Sequence, residues 1–257
     1  MLRLAIFGNP VSHSLSAQLH NAFAQQFQLN IQYEKIATPL NQFKKHVDDF
    51  RAQKGLGANI TIPFKTQAFE YADQLTNRAK SAGAVNTFIF KNDICIGDNT
   101  DGAGLLSDFE KKSIDVRDKN ILILGAGGGA RGILRGIIQK KPNKIFICNR
   151  TSEKIKQLHN DFRAISTYDN SPCDIIINAT NMNFQTDLLL NLSLKDTLCY
   201  DLNYGERHKT FYDYCKSHDA EKITDGMDML IEQAAEAFFQ WFGKKPNTKR
   251  IRQICKF

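Results

Sequence analysis

Nowhere in its 257 residues does the chain carry an apolar run approaching the roughly 20 residues that a membrane span requires. Met1 leads straight into a strand-like run, Leu2 to Phe7, with no charged segment and apolar signal core, so a cytoplasmic protein without a membrane partner is expected. Metal-ligand spacings are missing as well. The six cysteines, at 95, 148, 173, 199, 215 and 255, form no CxxC, and the six histidines show no HxxxH. Most of these cysteines sit in apolar strand-like runs, which fits reduced structural thiols, so neither a disulfide framework nor a metal is expected. Internal repeats and low-complexity tracts are absent too.

What is present is a mixed composition, 42% hydrophobic and 24% charged, ample for a buried core and inconsistent with a disordered or collagen-like chain. At roughly 100–200 residues per domain, the length fits two domains. Lys and Arg outnumber Asp and Glu by 34 to 27, and the net +7 favours anionic partners: nucleotides, acidic metabolites or nucleic acid. The densest basic run, Lys244-Lys245 through Lys249-Arg250 and Arg252 to Lys256, lacks interleaved aromatics. It reads as a solvated tail, and no nucleic-acid partner is expected.

Short β-rich runs alternate with amphipathic helical runs, the pattern of an α/β fold in which helices cross over a parallel sheet. The first hundred residues predict strands near 2–7, 32–37, 57–62, 85–90 and 94–98, with helices near 16–28, 39–53, 64–74 and 76–82. After the polar stretch Lys111 to Lys119 the pattern restarts at Asn120, where a second domain begins. Strands recur near 144–148, 174–178 and 198–202. A last helix, 225–242, repeats apolar residues at 227, 230, 231, 234, 235, 238 and 242, and Gly243 suits its C-cap.

Gly125-Ala126-Gly127-Gly128-Gly129-Ala130 follows a predicted strand and opens a predicted helix, 130–139, that leads to the strand 144–148. In such a βαβ unit the first glycine makes a tight turn and the second lets backbone approach a pyrophosphate. A small third residue lets the helix pack on the strand, and helix N–H groups hold the anion. The next strand ends in Cys148-Asn149-Arg150-Thr151 with no carboxylate to receive a ribose 2′-hydroxyl, which favours NADP over NAD. Arg150 can lay its fork on a 2′-phosphate, Asn149 and Thr151 can donate to phosphate oxygens, and Lys154 adds charge one turn on. Alternatively, Asn149 or Thr151 simply caps the following helix.

In the first half, polar residues gather at strand ends. Ser14 and Ser16, in Ser12-His-Ser14-Leu-Ser16, can bind a carboxylate or can serve as a helix N-cap. Asn59-Ile-Thr61-Ile-Pro63-Phe-Lys65 puts a lysine in a helix's first turn, where the dipole disfavours a cation. Gly83-Ala-Val-Asn86-Thr87 opens a strand, and Gly97-Asp-Asn-Thr-Asp101-Gly102 leads out of the first half.

In this order and spacing, SHSLS, NITIPFK, GAVNT, GDNTDG, GAGGGARG with NRT, and DGMDMLIEQAA resemble the motifs of the shikimate dehydrogenase family over essentially the whole chain. The resemblance implies an α/β substrate domain with a mostly parallel sheet, residues 1–101, completed by C-terminal helices in 225–257. It also implies a Rossmann-type NADP domain, 102–224, across a deep cleft. Ser14 and Ser16 would hold the substrate carboxylate, and Thr61, Asn86 and Gln233 its ring hydroxyls. Lys65 and Asp101 would form the catalytic pair and also touch substrate. Thr180, Tyr204 and Gly226 would join the glycine loop around the cofactor. The implied reaction is reversible reduction of 3-dehydroshikimate to shikimate by NADPH, in the biosynthesis of chorismate and aromatic amino acids, by a monomer or homodimer. Lys65 would stabilise the developing oxyanion with Asp101 orienting it, and which of the two moves the proton stays open.

The chain departs from the family pattern at several positions. Ala17 replaces a usual proline, Asn181-Met182-Asn183 follows Ala179-Thr180 where the family commonly has SxG, and Gly205-Glu206-Arg207 follows Tyr204 where proline is common. Asp228 stands where glycine is frequent. Its carboxylate either supports the helix's first turn or acts on a nicotinamide by charge. Two other readings are an NAD-preferring quinate/shikimate relative, against which Arg150 speaks, and a non-catalytic NADP-binding module, against which Lys65 and Asp101 speak.

Overall fold

A computed structural model describes residues 1–180, 194–249 and 251–254. The chain divides into two units, Met1–Gly104 with Ile231–Phe257, and Leu105–Leu230. The first unit is built on six strands: β1 (Leu2–Gly8), β2 (Ile31–Ala37), β3 (Gly57–Ile60), β4 (Gln74–Leu75), β5 (Thr87–Lys91) and β6 (Ile94–Asp98), in the order β2-β1-β3-β5-β6-β4. Three pairings are parallel, and β5 runs antiparallel to both β3 and β6. The reason is local: Asn92 and Asp93 both take positive φ, 50° and 61°, the backbone of a two-residue hairpin that leaves no room for a crossover helix.

Helices α1 (Ser16–Gln26), α2 (Phe43–Ala52), α3 (Lys65–Tyr71) and α4 (Asn77–Ala82) connect these strands. The helix predicted at 64–74 stops at Tyr71 because β6 captures the chain. The Asp73 N–H donates to the Cys95 carbonyl at 2.9 Å, and the Cys95 N–H donates to the Asp73 carboxylate at 2.7 Å. Strand β3 ends two residues short of prediction, near Pro63, which has no N–H for a ladder. Leu4 to Phe7 are all buried, as a continuous apolar strand covered on both faces should be. On one face lie Phe7, Phe43, Phe50, Phe64 and Phe88.

The chain leaves the first unit within α5 (Asp101–Lys111). The second unit follows as β7 (Asn120–Leu124), α6 (Gly128–Gln139), β8 (Lys144–Cys148), α7 (Ser152–Asp161), β9 (Ile165–Thr167), β10 (Ile175–Asn178), β11 (Leu198–Asp201), α8 (Lys209–Ser217) and β12 (Lys222–Thr224). Its sheet is parallel throughout in the order β12-β11-β10-β7-β8-β9. Ile121, Ile123, Ile145 and Ile177 fill one face, while Leu122, Leu124, Phe146 and Ile176 fill the other. Numbered within the unit, the order is 3-2-1-4-5-6, that of a Rossmann sheet, with the winding reversing between β7 and β10.

Helix α9 (Met227–Phe242) carries the chain back into the first unit, and α10 (Ile251–Ile254) ends the described chain. Gly243 closes α9 at φ 64°, its N–H donating to the Phe239 carbonyl at 2.8 Å. Ala237 and Trp241 of α9 pack with Leu4, and the Trp241 indole N–H donates to the Phe88 carbonyl at 2.8 Å. Among the described residues, no helix is long and apolar enough to cross a membrane, and no group of three His, Cys, Asp or Glu side chains could hold a metal ion. Cys95, Cys148, Cys173, Cys199 and Cys215 are free thiols.

Candidate active site

The hairpin β5–β6 assembles the polar centre of the first unit. It sets the Asn86 N–H on the Asp98 carbonyl at 3.0 Å, while the Val85 N–H donates to the Lys65 carbonyl at 2.9 Å. The start of α3 and the start of α5 are thereby brought to one place. Lys65 Nζ donates to Asp101 Oδ2 at 2.5 Å, with both side chains largely buried. Asp101 thus answers the charge that the first turn of α3 disfavours, and as the first residue of its own helix it is itself favoured by the dipole. Asn86 Nδ2 donates to Asp101 Oδ1 at 2.8 Å, leaving each carboxylate oxygen with one strong donor. Gln233 of α9 joins them: its Oε1 lies 3.4 Å from Asn86 Nδ2 and 3.3 Å from Thr100 Oγ1.

Four of the seven substrate-side residues read from the sequence, Lys65, Asn86, Asp101 and Gln233, therefore share one hydrogen-bonded cluster. Ser14 and Ser16 form a second group, with Ser14 Oγ donating to Ser16 Oγ at 3.1 Å and accepting the Ser16 N–H at 3.3 Å. Neither serine is the N-cap of α1. That position is Leu15, which makes no side-chain cap. Thr61 lies just past β3, half-buried, with its N–H on the Phe7 carbonyl at 3.0 Å. Tyr33 stands between the groups. Its hydroxyl donates to Asn59 Oδ1 at 2.6 Å, and burial, opposed by a hydrogen bond with Ser16, pushes it well above the ordinary tyrosine range.

In the second unit the glycine loop lies at the reversal of the sheet. Gly125 takes φ 104°, and a Cβ there would sit 3.1 Å from the Ala179 carbonyl oxygen beyond β10. Around Gly127 a Cβ would meet nothing within 4 Å, so open space faces the N-terminus of α6, whose first turn has no acidic residue and no side-chain cap. Exposed helix N–H groups beside such a cradle suit a pyrophosphate. Helix α6 begins at Gly128, two residues earlier than predicted. A Cβ on Gly129 would come within 3.7 Å of Ala179 and Leu202, and Ala130 is buried.

At the end of β8, Arg150 and Lys154 are exposed, and neither has an ion-pair partner among the described residues. Thr151 occupies the N-cap of α7 but makes no side-chain cap bond, and Asn149 Nδ2 donates to the Thr151 carbonyl at 3.0 Å. Beyond β10, the Thr180 hydroxyl donates to Asn178 Oδ1 at 2.6 Å. Tyr204 precedes the turn at Gly205, whose φ of 61° is closed to the proline common there in the family. A Cβ on Gly226 would collide with the Leu202 carbonyl, so backbone approach demands glycine. Asn181, Met182 and Asn183 lie outside the described residues.

Comparison with known proteins decides the family. The sequence description "Shikimate dehydrogenase substrate binding domain" matches residues 6–88, "Shikimate / quinate 5-dehydrogenase" matches 108–187, and "Shikimate 5'-dehydrogenase C-terminal domain" matches 226–256. Shikimate dehydrogenase (NADP(+)) of Vesicomyosocius okutanii is 42% identical over 98% of either chain. The chain belongs to the shikimate dehydrogenase family. Among solved structures, the shikimate dehydrogenase of Aquifex aeolicus is 30% identical, with a TM-score of 0.88 over 100% of this chain and 97% of that one. Shikimate 5-dehydrogenase of Thermus thermophilus, crystallised with NADP(H) and shikimate, is 26% identical, with a TM-score of 0.85 over 100% and 99%.

Sequence reasoning overlooks several polar residues that the fold uses. Thr100 ties Asn86 to Gln233, its backbone N–H donating to Asn86 Oδ1 at 2.9 Å. In the second unit a buried cluster spans β10 and β11: Asn178 Nδ2 and Asn203 Nδ2 both donate to Asp201 Oδ1 at 2.9 Å, and His208 Nδ1 lies 3.0 Å from Asp201 Oδ2. Burial raises the Asp201 carboxyl, and His208 and Asn203 pull it back. The signal available for these was their position at strand ends.

Proposed function

We propose that the chain catalyses the reversible, NADPH-dependent reduction of 3-dehydroshikimate to shikimate, in the cytoplasm, with substrate held by the first unit and cofactor by the second. One observation carries this: a lysine and a carboxylate 2.5 Å apart, framed by the amides of Asn86 and Gln233. Bound NADPH supplies the hydride. As charge develops on the carbonyl oxygen, Lys65 Nζ is the donor that meets it, and Asp101, steadied by Asn86, aims the ammonium. Ser14 and Ser16 take the substrate carboxylate, while Thr61, Asn86 and Gln233 select its hydroxyls. The open cradle at Gly127 takes the pyrophosphate, with Ala126, Gly128 and Thr180 beside it. Arg150, Asn149, Thr151 and Lys154 read the 2′-phosphate, and Tyr204 and Gly226 bound the nicotinamide.

The test is reduction of NADP+ and of NAD+ with shikimate and with quinate as alternative donors. Turnover with shikimate and NADP+ is expected. Equal turnover with quinate and NAD+ would move the chain to the quinate relatives, and silence in all four reactions would make it a binding module.

A further inference from the structure

A chain of side chains, its donors all pointing the same way, runs from the buried ring of His20 to Asp101. His20 is stacked on Tyr33, with ring centroids 4.9 Å apart and 8° between planes, and is enclosed by Phe23, Phe238 and Trp241. Burial holds its pKa down at about 3, so the ring is neutral. Its Nε2 lies 3.0 Å from Asn59 Oδ1, an oxygen that can only accept, which puts the ring proton on Nε2.

The orientation of Asn59 is equally determined. Its other terminal atom faces the Asn86 carbonyl at 3.4 Å, another pure acceptor, so that atom is the amide nitrogen. The same nitrogen donates to Thr87 Oγ1 at 3.3 Å. A hydroxyl has one proton, and Thr87, already accepting from Asn59, sends it to Asn86 Oδ1 at 2.9 Å. With the Asn86 oxygen held by Thr87 and by the Thr100 N–H, the amide nitrogen must face Asp101.

We propose that Thr87 is a positioning residue: its hydroxyl proton holds the Asn86 amide with N–H toward Asp101, which keeps Asp101 aimed at Lys65, while His20, Tyr33 and Asn59 fix the direction of that proton. This rests on the reading of Lys65 and Asp101 as the catalytic pair. It extends the site to a fully buried threonine that touches neither of them.

Thr87→Val keeps the shape and removes the proton, whereas Thr87→Ser keeps the proton and loses a methyl. For Val we expect kcat to fall about 3- to 10-fold, the scale of one hydrogen bond, with the NADPH KM unchanged. The acidic limb of the kcat/KM profile should move upward, because an amide whose oxygen keeps only the Thr100 contacts is held less firmly and donates less well to the carboxylate. Ser should restore both. Thr87→Ala, which leaves space in place of both the hydroxyl and the methyl, should shift the same limb and serves if Val does not fold. Wild-type kcat and an unmoved acidic limb in the Val or Ala variant would overturn the proposal. So would a loss of melting temperature and kcat that Ser fails to rescue. Lys65→Ala run alongside separates the two readings: full turnover there defeats the catalytic pair itself, whatever Thr87 does.

Discussion

Lys112 Nζ lies 2.8 Å from Asp228 Oδ2, so the carboxylate at the most conspicuous departure from the family pattern carries its own counter-charge. The same ammonium pairs with the buried Asp108, which accepts the Tyr200 hydroxyl at 2.6 Å. Asp228 also occupies the first turn of α9, where the dipole favours it. Asp228→Asn should therefore cost about 0.5–2 kcal/mol of stability, combining the helix and ion-pair contributions. The ratio of NADP+ to NADPH dissociation constants should stay fixed. Calorimetry and cofactor titration check this, and a changed ratio would give the charge a role at the nicotinamide.

Lys65→Ala should lower turnover by about 10²–10⁴ with small changes in substrate and NADPH binding, since a positioned donor acts mainly in the transition state. Asp101→Asn should lose turnover and weaken substrate as well, because it removes the negative charge opposite Lys65 and leaves one acceptor oxygen for two donors, Lys65 and Asn86. Steady-state kinetics with full Michaelis curves distinguishes the two patterns. An Asp101 variant affecting only the NADPH constant would put that residue elsewhere.

His20 makes stability depend on pH. With a pKa near 6.5 unfolded and about 3 folded, it binds a proton in the unfolded chain but not in the native one between those values. Its contribution is complete above pH about 6.5 and is lost as pH falls, at up to about 1.4 kcal/mol per unit, until the folded value is reached. His20→Gln can still donate to Asn59 and should flatten this slope. Urea unfolding of both proteins at pH 7 and pH 5 measures it, and parallel losses would assign the acid sensitivity to other groups.

Replacing Arg150 with Asp should weaken NADPH by about 1.5–3 kcal/mol, the scale of a lost charge-assisted contact, and narrow its advantage over NADH. Cofactor titration of the variant reads this directly. An unchanged preference would turn attention to Lys154.

Ser14→Ala with Ser16→Ala should raise the shikimate KM strongly while leaving the melting temperature nearly unchanged, because neither residue caps α1. A large drop in melting temperature with normal KM would make the pair structural.

Much of the second unit is legible because its signals are local. A strand buried on both faces reads as a continuous apolar run, and Gly125 in the turn after β7, at φ 104° and close to the Ala179 carbonyl, meets a demand that few other residues satisfy. Lys65 stands out for opposing a helix dipole. That Asp101 answers it, 36 positions on, is a long-range fact, which only the family resemblance anticipates. The β5–β6 turn is harder: Asn92-Asp93 has hairpin chemistry, yet residue spacing alone does not show that β5 reverses the sheet. Thr87, Thr100 and Asp201 look in sequence like ordinary polar residues at strand ends, and their burial depends on what packs over them.

The second unit is one unbroken stretch of chain, and the first is two. On a ribosome, residues 105–230 can therefore finish folding before α9 has fully emerged, although the first unit began earlier. Until then Leu4 and the backbone of Gly57, where no Cβ would fit beneath Trp241, lie uncovered, and the Phe88 carbonyl lacks its indole partner. The earliest-made half of the protein is thus the last to close, and a nascent chain stalled before Trp241 presents an unfinished sheet to chaperones and proteases.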